Sequence, residues 1–221
     1  QQFFAMPQPF PKYLKNPQFE VGDGASKRPA LFYLGMSIIG AHSKNDAVLN
    51  TAMFHLLGAD PEPALLMLTA IKNNNIKLAA YTELANETLT EPDLSIFQGV
   101  IKRFAATEKE RNRLAHDLWA IEPQPPDAVV LISAREFSKI KAKKHLLRGN
   151  RPLSAESLDG LINNIRSSGL VYTKEDFIRI LKQMNRVFFL VVALSIMLDR
   201  ETPDHEVSNQ RQQLQEALQT D

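Results

Sequence analysis

The residues best suited to chemistry lie in one short stretch, Glu108 to Trp119, which reads EKERNRLAHDLW. Arg111 is followed directly by Asn112 and, four residues later, by His116. A guanidinium presents a planar set of donors to phosphate or carboxylate oxygens, and imidazole groups exchange protons near neutral pH. In a helix, Asn112 and His116 are four positions apart and are therefore neighbours. The stretch could bind an anion and move a proton.

The element that must position these groups is a long helix, predicted from about Pro92 to Ala120. Its apolar residues recur at helical spacing: Phe97, Val100, Ile101, Phe104, Leu114, Ala115 and Leu118. At about 100° per residue, Glu108 and Arg111 fall on the same stripe as Phe97, Ala115 and Trp119. A charged patch in an otherwise buried face requires a partner, a subunit interface or a ligand.

The simplest interpretation is that Arg111 pairs with Glu108 on a solvated edge and that His116 is an ordinary surface or core residue. The combination Arg-Asn-x-Leu-Ala-His favours a second interpretation. It resembles the signature of the HEPN superfamily, small all-helical domains often found as metal-independent ribonucleases in toxin and defence systems. In that family an arginine, usually followed directly by a polar residue, is separated from a histidine by four to six intervening residues. Arg111, Asn112 and His116 match this pattern with four intervening residues.

The resemblance implies an all-α, HEPN-like helical bundle with a short β-hairpin inserted after the motif helix. It also implies a metal-independent endoribonuclease, in which the 2′-hydroxyl of RNA attacks the neighbouring phosphorus. Arg111 would bind the phosphate oxygens, His116 would act as acid or base, and Asn112 would orient the imidazole or contact the substrate. Because one histidine cannot easily fill both roles, the family's homodimer, which brings two motifs into one cleft, is expected here.

Inactive members of the superfamily serve as binding or dimerisation modules, and this is the alternative function. The chain would then be a helical dimer that binds a protein or a nucleotide, with Arg111 and His116 as structural polar groups in its seam. The sequence departs from the family at Asp117, because a glycine often follows the motif histidine. The charge of Asp117 could crowd an incoming phosphate.

A basic segment follows between residues 135 and 151, with a single acidic residue, Glu136. Such a run is ordinarily a solvated surface. The alternative is a track for RNA phosphates, since Lys and Arg supply most non-specific binding energy. Glu108, which could hold Arg111 in place, completes the set of substrate-binding candidates. These candidates are Glu108, Lys141, Lys143, Lys144 and Arg148.

Composition narrows the class of protein. The 221 residues are 44% hydrophobic and 23% charged, which is ordinary for a soluble protein. A net charge of +1 argues against strong steering of nucleic acid by the whole chain. The chain has no cysteine, which excludes disulfides, thiolate zinc and cysteine nucleophiles and is compatible with a cytoplasmic location. No His-Glu-x-x-His spacing is present, so we expect no metal and no cofactor.

Three regions are expected along the chain. Residues 1–29 form an arm rich in proline and aromatic residues, which packs against the body or a second subunit; prolines this dense oppose helix and ladder pairing. Residues 30–200 form the HEPN-like helical domain. Residues 201–221 form a polar tail that is expected to be disordered.

Within the domain, a first long helix is predicted from Pro29 to Leu57, with Gly58 as its stop. A strand is predicted at residues 128–132, and Val171 and Tyr172 are expected to pair with it. The apolar run from Val187 to Leu198 is shorter than the about twenty residues that cross a bilayer. It is therefore predicted as a helix buried on all sides, in the core or in a dimer seam, with no membrane partner.

Overall fold

The computed structural model describes residues 7–9, 20–21, 24–58, 61–71, 73–121, 127–147 and 169–219. The helices are α1 (Gly24–Lys27), α2 (Pro29–Leu57), α3 (Pro61–Ala70), α4 (Asn74–Thr88), α5 (Asp93–His116), α6 (Ala134–Leu147), α7 (Lys174–Leu198) and α8 (Asp204–Gln219). The strands are β1 (Gln8–Pro9), β2 (Glu20–Val21), β3 (Leu118–Ile121), β4 (Ala128–Ile132) and β5 (Leu170–Thr173). The described chain is predominantly helical with a small antiparallel sheet, as predicted.

Helix α2 has the predicted ends. Pro29 occupies its first position, where a missing amide hydrogen costs nothing. Gly58 adopts φ 60°, a left-handed conformation that glycine reaches without steric strain. The amide of Gly58 donates to the carbonyl oxygens of Phe54 at 3.1 Å and His55 at 3.2 Å, and these bonds close the last turn.

Helix α5, which carries the motif, is shorter than predicted. It begins at Asp93 and ends at His116, so the prediction that it continues to Ala120 and carries Trp119 on its stripe is wrong. Trp119 lies in β3, opposite Leu131 of β4. Pairing of the strands and burial of Ala120 override the helical periodicity of this stretch. Ala115, the other late member of the predicted stripe, is exposed.

The sheet has the order β1-β5-β4-β3-β2, and every pair is antiparallel. Strand β4 is present as predicted, and β5 pairs with it as expected, with Val171 opposite Val130. The strand that forms the hairpin with β4 is β3, whose residues were predicted as helix. The prediction that the arm cannot pair is wrong, because β1 and β2 extend the two edges of the sheet. Proline lacks a backbone N–H, but it is tolerated in an edge strand, where one side of the backbone has no strand to bond to. Pro9 lies in such a strand.

The polar C-terminal segment, predicted to be disordered, forms helix α8. Leu214 is 1% exposed, and Val207 and Leu218 pack against the same apolar cluster. Arg211 donates from Nε and Nη2 to the two carboxylate oxygens of Asp93, at 2.6 and 2.9 Å. A few apolar residues on one face and a bidentate ion pair therefore order a segment whose composition is polar.

The chain forms two compact units. The first comprises Gln1–Ile39 and Glu110–Leu181, and the second comprises Gly40–Lys109 and Lys182–Asp221. The dividing points fall inside α2, α5 and α7. The first unit contains the sheet and the motif from Glu110 onward, whereas the second contains the larger apolar core. The division into an arm, one domain at 30–200 and a tail stays a prediction.

Helix α7 has 25 residues and, by length and composition alone, is apolar enough to cross a membrane. Of its most apolar window, 44% is buried in the structure. Val187, Val191 and Leu194 belong to the core of the second unit. Phe189 is 70% exposed in the single chain, so the run is not buried on all sides by the core of its own chain; its burial in a dimer seam stays a prediction.

Candidate active site

The motif arginine is held by its own neighbour. Arg111 is half-buried, and its Nη1 donates to Oδ1 of Asn112 at 2.8 Å. Its Nε is buried and has no hydrogen-bond partner among the residues that the structure describes. Glu108, which the sequence suggested as the group that holds Arg111, is half-buried, and its role stays a prediction. The guanidinium therefore keeps one donor without a partner in the described part of the chain.

The motif histidine is open. His116 is the last residue of α5, and its side chain is exposed. Its imidazole makes no hydrogen bond to any residue in the described part of the chain. Asn112, assigned by the sequence to orient the imidazole, lies one turn earlier and uses its Oδ1 for Arg111. The ring can therefore meet a ligand without first breaking a bond to any of the described residues.

Arg111 and His116 are not brought together within one chain. Five residues of helix correspond to a rotation of about 140°, so the two side chains leave the helix on different sides. Arg111 bonds to Asn112 and not to His116. The structure therefore joins the first two members of the motif and leaves the third apart from the guanidinium.

A half-buried ion pair, which the sequence did not single out, ties the last turns of α5 to the sheet. Glu110 accepts from Arg113 Nη1 at 3.0 Å and from the hydroxyl of Tyr172 at 2.7 Å. Tyr172 is fully buried; burial, followed by the charge of Glu110 and the hydrogen bond to it, raises the pKa of Tyr172, while Arg113 partly lowers it. The i,i+3 spacing of Glu110 and Arg113 predicts their pairing, but no nearby residue in the sequence indicates that Glu110 also bonds to Tyr172 of β5.

The tryptophan after the motif closes the end of α5. Trp119 Nε1 donates to the carbonyl oxygen of Leu114 at 3.1 Å, one of the terminal carbonyls that lack a helical partner. Its ring stacks on Phe177, with centroids 5.8 Å apart, and meets Phe32 edge-on at 5.6 Å. A strand residue therefore fixes the helix end that bears His116.

Asp117 connects the motif to the basic segment. It is half-buried between α5 and β3, and its carboxylate accepts the backbone N–H of Ala134, the first residue of α6. Burial raises the pKa of Asp117, and the Ala134 N–H with the charges of Arg113 and His116 partly lowers it. The basic helix therefore begins beside the residue that follows His116.

The basic substrate-binding candidates are placed only in part. The segment from residue 134 to 147 is helix α6, in which Lys139 pairs with Glu136 at 2.6 Å. Lys141, Lys143 and Lys144 lie in this helix, but their side chains are outside the described residues, and Arg148 is outside them altogether. Among the described residues, no group of three or more His, Asp or Glu could hold a metal ion.

We expect Asp117→Asn to stabilise the protein increasingly as the pH rises from about 4 to about 7. Because the pKa of Asp117 is raised in the folded state, the protonated carboxyl group favours folding. This contribution to the free energy of unfolding is lost as the pH rises through that pKa. Asparagine stays neutral and still accepts the Ala134 N–H. Urea unfolding midpoints across this range test the effect, with Asp127→Asn, an exposed position in the same unit, as the control. A stability difference that is constant or shrinks with pH would contradict it.

Comparisons of the chain with models of protein families, with curated proteins and with solved structures found no match. The fold and the site define a predominantly helical protein with a small antiparallel sheet and an exposed histidine at the end of a long helix. The resemblance to the HEPN superfamily therefore rests on Arg111, Asn112 and His116 alone.

Proposed function

We propose that this protein is a metal-independent endoribonuclease of the HEPN type. The observation that supports this best is the state of His116, exposed at the end of α5 and free of hydrogen bonds to the described residues. One turn away, the half-buried Arg111 keeps an Nε without a partner in the described chain. A proton-transfer group and an anion-binding group thus occupy consecutive turns of one helix.

The reaction needs three contributions. A base removes the proton of the 2′-hydroxyl, whose oxygen then forms a bond to phosphorus. The bond from phosphorus to the 5′-oxygen breaks, and an acid supplies the proton that this oxygen takes up. Arg111 stabilises the negative charge on the phosphate oxygens during the exchange. The products are a 2′,3′-cyclic phosphate and a 5′-hydroxyl, and no metal takes part.

The divergence of Arg111 and His116 favours a homodimer. Because the two side chains leave α5 on different sides, one chain does not direct both at a single phosphate. A second copy of the motif would supply the missing group and the second imidazole that acid and base catalysis requires. The chain would then act on RNA as a dimer, and a toxin or defence role in the cytoplasm stays a prediction.

The alternative, an inactive dimer that binds a protein or a nucleotide, would be favoured by a His116 that is buried and hydrogen-bonded only to its own chain. His116 is instead exposed and makes no such bond in the described chain. For this reason we place the ribonuclease first.

Incubation of the protein with total RNA in EDTA tests the proposal. We expect cleavage to persist in the chelator and the new ends to carry a 2′,3′-cyclic phosphate. A matched oligonucleotide with a single 2′-deoxy nucleotide at the cut site should resist, because it lacks the attacking hydroxyl. Cleavage that stops in EDTA, or that proceeds at the deoxy position, would exclude this mechanism.

A further inference from the structure

The start of α2 carries a group of large exposed side chains that the proposed site does not use. Phe32 is 36% exposed, Tyr33 73% and Met36 49%, and these three residues are called the α2 surface here. They lie within five consecutive positions, so they occupy neighbouring places on the first turns of the helix. All three belong to the same compact unit as Arg111 and His116.

Cations adjoin the α2 surface. Lys27 and Arg28 directly precede the helix, and Arg28 lies one turn before Phe32, whose amide bonds to the Arg28 carbonyl at 3.0 Å. The Nε of Arg28 is buried without a partner among the described residues, while its Nη1 donates to the Lys27 carbonyl at 3.2 Å. From Ser26 to Asn45 the chain contains no Asp or Glu. Aromatic faces beside cationic side chains suit bases and phosphates together.

The α2 surface is connected to the motif by the contact between Phe32 and Trp119. The ring of Phe32 meets the ring of Trp119 with centroids 5.6 Å apart. Trp119 follows His116 by three residues, a separation that spans at most about 11 Å of chain. A polynucleotide lying on the α2 surface would therefore be within a few nucleotides of His116.

We propose that the start of α2 is a binding subsite for single-stranded RNA, in which bases stack on Tyr33 and Phe32 and Arg28 contacts an adjacent phosphate. The choice of RNA rests on the proposed function, since the subsite shares a compact unit with the motif. Duplex RNA is excluded as the ligand, because its bases are stacked on one another and cannot reach a protein ring.

Binding of a labelled 2′-O-methyl oligouridylate, measured by fluorescence anisotropy, tests the subsite. This probe has no free 2′-hydroxyl, so it reports binding whether or not the protein cleaves RNA. Loss of one base-stacking contact should make Tyr33→Ala bind about fivefold to a hundredfold more weakly, whereas Tyr33→Phe should bind as the parent does. Phe189→Ala is the control, because Phe189 is an equally exposed aromatic residue in the second unit.

The salt dependence of binding separates the two kinds of contact. Arg28→Ala should weaken binding and reduce the slope of log affinity against log salt by about 0.7, the value for one phosphate contact on a single strand. Tyr33→Ala should weaken binding and leave that slope unchanged, because stacking releases no counterion. Arg200→Ala, at an exposed position of the second unit, should change neither quantity.

Three results would overturn the inference. These results are failure of the probe to bind at low salt, binding of the annealed duplex of the same length as tightly as the single strand, and binding by Tyr33→Ala equal to that of the parent. A change of oligomeric state in Tyr33→Ala, with RNA binding unaltered, would assign the α2 surface to contact between copies of the chain instead. If the probe binds as expected but the protein cleaves no RNA, the subsite is supported and the proposed ribonuclease function is excluded.

Discussion

His116→Ala is expected to reduce RNA cleavage about 10²- to 10⁴-fold, the usual contribution of a general acid or base. The midpoint of unfolding should not change, because the side chain is exposed and makes no hydrogen bond within the described chain. Initial rates on one defined oligonucleotide in EDTA measure the first effect, and urea unfolding measures the second. His205→Ala is a matched control, since His205 is an exposed histidine of the second unit.

The second substitution that tests the motif is at Arg111. Arg111→Ala should lower cleavage by a factor on the order of 10² to 10³, because a donor to the charged transition state is lost. Arg111→Lys should recover only part of this rate, because an ammonium lacks the planar pair of donors. If the His116 and Arg111 variants remain folded and cut RNA at the parent rate, the motif is not catalytic and the binding-module alternative gains.

Gly35→Ala is expected to destabilise the protein by about 1 to 3 kcal/mol through overpacking. A β-carbon at this position would lie 2.6 Å from Cη2 and 2.9 Å from Cζ2 of Trp119, and 3.5 Å from the ring of Phe177. The indole cannot retreat easily, because Phe177 stacks on it and its Nε1 bonds to the Leu114 carbonyl. Strain at residue 35 should therefore reach the end of α5.

Gly40→Ala is the matched control for Gly35→Ala. It lies in the same helix, and a β-carbon there meets nothing within 4 Å. Alanine should stabilise the helix at this site by up to about 1 kcal/mol. Trp119 is the chain's only tryptophan, so its fluorescence reports both unfolding in urea and any shift of the ring. Equal stability and identical emission spectra for Gly35→Ala and the parent would contradict the proposed contact.

Local signals predicted several features correctly. The ends of α2 follow from Pro29 and Gly58, whose backbone restrictions act within one turn of the helix. The start of α7 is likewise fixed by contiguous residues, because the side chains of Thr173 and Asp176 bond to each other's backbone amides at 3.3 and 3.0 Å. Strand β4 follows from its run of β-branched residues. In each case the residues that decide the structure are contiguous.

Distant contacts decided the features that periodicity did not reveal. Helical spacing continues through Trp119, but pairing with β4 and the packing of Phe177 place Trp119 in a strand. The polar composition of the last twenty residues predicts disorder, but burial of Leu214 and the Arg211–Asp93 pair order α8. Arg211 and Asp93 are 118 residues apart, so no window of sequence contains both.

The sequence by itself determined the chemistry that the candidate site offers: a guanidinium, an amide and an imidazole at fixed intervals in one helix. Only the tertiary structure decided how these groups are presented, because exposure and partners depend on residues remote in the chain. It ended α5 at His116, bonded Arg111 to Asn112, and anchored the helix through Glu110 to Tyr172, 62 residues away. It also left the aromatic rings of α2 exposed beside Trp119.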